Sequence, residues 1–186
     1  MMDQYVALLR GINVSGQKKI KMTDLKLLFE NQGYSDVTTY IQSGNVIFKK
    51  QPSSITELKK NIENAIHNQY GFEVAVLVIN AQSLSGILDA NPFKKDLATG
   101  RVDPKKMYFT LLHKEPDNVS IDEISKQDYQ PEKFVISEKV VYFFAANGYG
   151  NTKLNNNFFE KKLKVTATTR NLNTLNKLSN LCLGAT

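Results

Sequence analysis

Val37-Thr-Thr-Tyr-Ile-Gln-Ser-Gly-Asn-Val-Ile-Phe48 decides how the rest of the chain is read. Residues 37–41 and 46–48 are runs of β-branched and aromatic side chains. Between them Gln42-Ser43-Gly44-Asn45 is rich in turn formers, so the stretch predicts a β-hairpin. Working back, Thr23 is placed to cap a helix whose apolar face is Leu25, Leu28 and Phe29, and Gly33 stops it. Before that helix, Tyr5-Val-Ala-Leu-Leu9 is a short continuous apolar run, the mark of a buried strand, followed by the glycine-broken loop Arg10 to Gly16. Working forward, Ser54-Ile-Thr-Glu57 has the spacing of a capping box. Leu58, Ile62, Ala65 and Ile66 line one helical face up to Gly71, and Phe72 to Ile79 reads as a fourth strand. The order is βαββαβ.

That order then recurs. A short helix near Ser83 to Asp89 ends at Asn91-Pro92, and the polar, aperiodic residues 92–106 read as a linker. Met107 to Leu112 is a strand, and Ser120-Ile-Asp-Glu123 is a second capping box. Phe134 to Ile136 and Val140 to Phe144 form a hairpin. Thr152 to Leu163 is a helix, Val165 to Thr168 a strand, and Leu172 to Leu183 a closing helix. The expectation is an α+β protein of two ferredoxin-like βαββαβ halves, residues 1–91 and 107–186, related by apparent duplication with one extra C-terminal helix. In such a sheet the loop after the first strand and the hairpin lie on one edge. The loop after the third strand and the end of the fourth share the other edge.

The 186 residues can bury roughly 70% of the surface of the unfolded chain without a covalent staple. The single cysteine, Cys182, lies among Leu178, Leu181 and Leu183 and reads as buried and inert. One cysteine and two histidines, His67 and His113, argue against zinc and iron–sulfur sites, so neither metal nor cofactor is expected. The first strand leaves no room for a signal-peptide core, and no apolar run reaches membrane-spanning length, which makes the cytoplasm the expected location. Net charge is +6. Residues 151–186 hold six cations against Glu160 alone, which is either a solvated lysine face or a surface for an anionic partner.

Two clusters carry the functional expectation. Arg10, Gly11, Asn13, Lys18 and Lys19, joined by Ser43, Gly44 and Asn45 of the hairpin, combine a guanidinium with amide donors, a set suited to an oxyanion. The structural alternative is that Asn13 and Asn45 only hold turns. The second cluster is Asn147-Gly-Tyr-Gly-Asn-Thr-Lys153 with Thr168-Thr-Arg-Asn171, from which Lys153, Arg170 and Asn171 are candidate ligand-binding residues at helix entries. Its alternative is capping by Asn151 or Thr152. Gly11 to Lys18 misses the phosphate-loop pattern, because Gln17 separates the last glycine from lysine and the helix begins later. No histidine or carboxylate pair stands in a recognisable catalytic arrangement. The basic–glycine–aromatic pattern of RNA-binding sheets is also missing from the third strands.

Ala7-Leu-Leu-Arg-Gly-Ile-Asn-Val14, Thr39 to Phe48, and Ala167-Thr-Thr-Arg-Asn171 with Asn173-Thr174 together resemble the domain-of-unknown-function 1697 family. Asn91-Pro92-Phe93, Lys153-Leu154 and Glu160 to Leu163 strengthen the likeness. Ser15 stands where that family usually has glycine, and Leu172 where it usually has tryptophan. The resemblance implies a two-subdomain α/β fold and no established activity. The functional expectation is a binding protein for a small phosphorylated or nucleotide-like anion. Phosphate-ester or acyl-phosphate hydrolysis and nonspecific nucleic-acid binding are the alternatives, and no membrane partner is expected.

Overall fold

The computed structural model describes residues 2–14 and 16–184. The chain is mixed α+β, with two four-stranded antiparallel sheets and seven α-helices among the described residues. It divides into one compact unit of residues 1–86 with 177–186, and a second of residues 87–176. Ser15, where the sequence departs from the pattern it resembles, lies outside the described residues.

The first sheet contains β1 (Asp3–Leu9), β2 (Ser35–Tyr40), β3 (Asn45–Lys50) and β4 (Val76–Asn80) in the order β2-β3-β1-β4. α1 (Met22–Asn31) and α2 (Ile55–Tyr70) supply the apolar faces that cover it. Tyr5, Ala7 and Leu9 of β1 and Val46 and Phe48 of β3 alternate onto that side, and meet Leu25, Leu28, Phe29, Leu58, Ile62 and Ile66. The rings of Tyr5, Phe29 and Tyr34 gather around Phe48, with Tyr5 stacked on it, Phe29 meeting it edge-on and Tyr34 tilted against it. The helix starts differ from the sequence reading. Lys21 is the N-cap of α1, while Thr23 lies inside the first turn and donates to Asp24 Oδ1 at 3.2 Å. Ser54 is the N-cap of α2, but its side chain makes no capping bond. The fourth strand starts at Val76 instead of Phe72, because pairing with β1 begins only at Leu9 opposite Val76. α3 (Ala81–Asp89) follows β4 directly.

Residues 92–106 are structured. Phe93 and Val102 are buried, and between them runs the short helix α4 (Lys94–Ala98) before a 3-10 turn at Pro104–Lys106. Two apolar anchors separated by one helical turn explain the order there, and their spacing gave no periodic signal. Asn91 Oδ1 accepts from Phe93 N at 3.0 Å, a turn that fixes the entry to the segment.

The second sheet contains β5 (Met107–Leu112), β6 (Lys133–Ser137), β7 (Val140–Phe144) and β8 (Ala167–Asn171) in the order β6-β7-β5-β8. α5 (Asn118–Ser125) and α6 (Asn156–Leu163) accompany it, and α7 (Leu172–Cys182) follows β8. Phe143, Phe159, Leu163, Val141 and Ala167 form the core of its helix-covered side. Here too the caps differ from expectation. Asp117, not Ser120, caps α5, accepting from Ser120 N at 2.7 Å and from the Ser120 hydroxyl at 3.0 Å. α6 starts at Asn156 instead of Thr152, capped by Asn155, whose Oδ1 accepts from Phe158 N at 3.1 Å. Thr152 instead takes the Leu154 amide at 3.0 Å, a local turn that competes with helix. β8 continues through Asn171 because every residue from Ala167 on is paired with β5.

The two units repeat three devices at matching positions. At the end of the central strand, Leu9 N donates to Gly44 O and Arg10 N to Ala75 O; Leu112 N donates to Lys139 O and His113 N to Thr166 O. A helical carboxylate takes the first amide of the last strand in each: Glu63 Oε1 from Val76 N at 2.9 Å, and Glu160 Oε1 from Ala167 N at 2.8 Å.

Candidate functional site

The loop from Arg10 to Lys21 is basic. It carries Arg10, Lys18, Lys19 and Lys21 and no carboxylate. The three lysines are exposed and Arg10 is half-buried. Its shape comes from left-handed backbone at Gly11 (φ 68°), Asn13 (56°), Gly16 (75°) and Lys18 (45°) and from a short bridge between Val14 and Gln17. Asn13 is its pin. Its Nδ2 donates to Ile20 O and to Gln42 O, both at 2.9 Å, and its Oδ1 accepts from Ile20 N at 2.9 Å. Lys18 Nζ donates to Glu73 O at 2.7 Å. The bond from Asn13 to Gln42, with that from Leu9 to Gly44, joins the loop to the hairpin, as the strand order required.

The hairpin residues serve this scaffold. Asn45 is fully buried, and its Nδ2 donates to Tyr40 O at 2.9 Å and Ser43 Oγ at 3.0 Å. Both amide protons of Asn13 and of Asn45 therefore go to protein acceptors, the turn-holding alternative for these two residues. Gly44 adopts φ 77°, and a Cβ there would lie 2.7 Å from Leu9 Cβ and 2.8 Å from Ile12 Cδ1. Its role is close packing in a left-handed turn.

The second cluster is more dispersed. Lys153 is exposed on the approach to α6. Asn171 accepts from Thr174 N at 2.8 Å and so closes the entry to α7. Asn151 donates to Asn147 O, and the Asn156 amide donates to the Tyr149 hydroxyl at 3.0 Å. Arg170 is only 9% exposed, and its Nη1 donates to Thr169 O at 2.9 Å. Burial lowers its guanidinium to about 10, with nearby Tyr149 working the other way.

Two features escaped the sequence reading. One is a cleft of about 380 Å³ on the first unit, lined by Gln4, Thr38, Ile47 and Cys182 and by the Asp36–Lys49 ion pair at 2.8 Å. Cys182 is half-buried, not fully buried as expected, because the last turn of α7 borders this cleft; Leu183 beyond it is exposed. Desolvation still pushes its thiol up to about 11. The other is the hydroxyl of Thr168, buried with no hydrogen-bond partner. Among the described residues no group of three or more histidine, cysteine or carboxylate side chains is placed to hold a metal ion, and no helix is long and apolar enough to cross a membrane.

The sequence matches the family described as "Protein of unknown function (DUF1697)" over residues 2–142. The chain belongs to that family. The matched segment includes the Arg10 loop and the hairpin, and ends at Tyr142, before β8. Among solved structures the chain is similar to a conserved bacterial protein from Streptococcus pneumoniae, at 23% identity, with a TM-score of 0.73 and coverage of 98% of this chain and 99% of that one. That likeness concerns the fold. No curated protein sequence matches the chain.

Proposed function

We propose that this family member is a cytoplasmic binding protein for a small phosphorylated or nucleotide-like anion, received on the loop between β1 and α1. The observation that carries the reading is the loop itself: four cations in twelve residues, no carboxylate, and a backbone pinned by three Asn13 hydrogen bonds, two to Ile20 within the loop and one to Gln42 of the hairpin. A preformed positive loop loses little entropy on binding, and its exposed lysines and amides suit an oxyanion. In this reading Arg10, Lys18, Lys19 and the Gly11 backbone meet the ligand, while Asn13, Ser43, Gly44 and Asn45 hold the loop. Lys153, Arg170 and Asn171 form a second basic area.

The same reading takes the halves as ferredoxin-like βαββαβ units related by duplication and joined through residues 92–106. Support comes from the identical strand order and from the three devices shared at Leu9/Leu112, Arg10/His113 and Glu63/Glu160.

Thermal melts with ATP and with a sugar phosphate test the function. A ligand at a hundred times its Kd adds about 2.7 kcal/mol, or about 5–10 °C in Tm for a chain of this size. Lys18→Glu with Lys19→Glu should abolish the shift and leave the unliganded melt nearly unchanged. Absence of any shift in the wild type, or one that survives the charge reversal, rules the reading out.

A further inference from the structure

The cleft that Cys182 borders lies on the side of the first sheet away from α1 and α2. Tyr5, Val46 and Phe48 face those helices, so strand alternation turns Gln4, Ile47 and Lys49 to the opposite side. Pairing sets them in two rows, Gln4 opposite Lys49 and Ile47 opposite Thr38. The last turn of α7, through Leu181, and Leu183 beyond it supply an aliphatic wall. Every lining residue belongs to the first unit. At about 380 Å³ the cleft is near the lower end of the range of about 300–1,000 Å³ for small-molecule sites, a size for one small metabolite.

Its charges come from β2 and β3. β2 departs from regular pairing between Ser35 and Thr38, and within that irregularity Asp36 takes left-handed backbone, φ 50°. Bulges of this kind re-aim side chains, and this one sets Asp36 Oδ2 2.8 Å from Lys49 Nζ at the cleft. The two side chains keep 65% and 40% of their exposure, and an ion pair so open contributes little to stability. Left-handed backbone is itself unfavourable for a residue with a Cβ. A strained bulge that yields only a weak surface pair is better explained by what the pair can hold. Opposite charges side by side then select the ligand. A phosphate at Lys49 meets the Asp36 carboxylate, and a simple cation at Asp36 meets the Lys49 ammonium. A zwitterion with both charged groups on one carbon satisfies the two together through charge-assisted hydrogen bonds. The Gln4 carboxamide and the Thr38 hydroxyl each donate and accept, so they suit either end of it.

We propose that this cleft binds a free α-amino acid with an aliphatic side chain, its ammonium on Asp36, its carboxylate on Lys49 and its side chain against Leu181 and Leu183. The site is separate from the Arg10 loop, uses none of its residues and takes a ligand of no net charge.

Cys182, the single cysteine of the chain, reports occupancy because it borders the cleft. The experiment follows its labelling by a small methanethiosulfonate reagent, at mildly alkaline pH, against rising concentrations of L-leucine. Leucine should slow labelling saturably. Isocaproate lacks the ammonium and isoamylamine lacks the carboxylate. Each should need at least about a tenfold higher concentration for half-maximal slowing, the loss expected when a hydrogen bond to a charged group is removed. Asp36→Asn should erase the advantage of leucine over isocaproate, and Lys49→Met its advantage over isoamylamine. If either variant fails to fold, the three ligands on wild type decide. No slowing by leucine, slowing matched by either one-charge analogue, or full leucine protection in both variants overturns the proposal.

Discussion

Gly44→Ala should be among the most damaging single-methyl changes in the protein. Two independent penalties meet there. A left-handed backbone costs a residue with a Cβ about 1–2 kcal/mol, and Gly44 has φ 77°. The added methyl would also fall 2.7 Å from Leu9 Cβ and within 3.0 Å of two atoms of Ile12, all in side chains at most 1% exposed. Ile12 can rotate away, but Leu9 Cβ is fixed to a strand whose amide donates to Gly44 O at 2.8 Å. Overpacking of this kind costs about 1–3 kcal/mol, so the total is about 2–5 kcal/mol. Gly71→Ala is the control. It has φ 74° at the end of α2 and nothing within 4 Å of the added carbon, so only the backbone term of about 1–2 kcal/mol applies. Equilibrium urea unfolding of both variants gives the difference directly, through the midpoints at unchanged m. If Gly44→Ala and Gly71→Ala agree within about 0.5 kcal/mol, the close approach of hairpin and strand is not what selects glycine at 44.

Asn13→Ala deletes three hydrogen bonds, and at about 1 kcal/mol each the expected loss is about 3 kcal/mol by urea unfolding; a loss below about 1 kcal/mol would mean the loop is held by other contacts. Glu63→Ala and Glu160→Ala each strip the acceptor from a strand amide, and each should lower stability by about 1–3 kcal/mol, whereas an unchanged midpoint for both would deny the device shared by the two units. Cys182, with its thiol pushed up to about 11, should react with a disulfide reagent at pH 7.5 at least about a hundredfold more slowly than an ordinary cysteine near 8.5. The folded state then holds this proton after the unfolded state has released it. Stability should therefore decline as pH rises from about 8.5 towards 11, and Cys182→Ser should flatten that slope; a slope that persists unchanged assigns it to other groups.

The sheets were legible in the sequence wherever punctuation was strong. Gln42 to Asn45 marked one hairpin, and Ser137-Glu138 fell at the turn of the other, where Glu138 takes φ 49°. Helix starts were less legible, because serine, threonine and asparagine occur at several neighbouring positions and burial chooses among them. Leu154 is buried at 2% ahead of α6, so the helix waits for Asn155 while Thr152 shapes the approach. The end of β8 was hidden for a different reason. Beyond Thr168, where the sequence reading ends the strand, Thr169, Arg170 and Asn171 are all polar, and only pairing with β5 reveals them as strand. At the candidate site, composition singled out the Arg10 to Lys21 loop as basic. It did not separate Asn13 and Asn45, whose amides serve the fold, from the lysines, since residue type alone does not say where an amide points.

Glu63 and Glu160 also bear on what the chain can tolerate in evolution. Each fastens a helix to the start of the strand that follows it, across connections at residues 71–75 and 164–166. The two connections differ in length, yet the strand begins against its carboxylate in both. With register fixed by a side chain, the intervening loop is relieved of that duty. Insertions there should be absorbed as surface bulges, which makes these two connections natural places to graft a tag or a further segment.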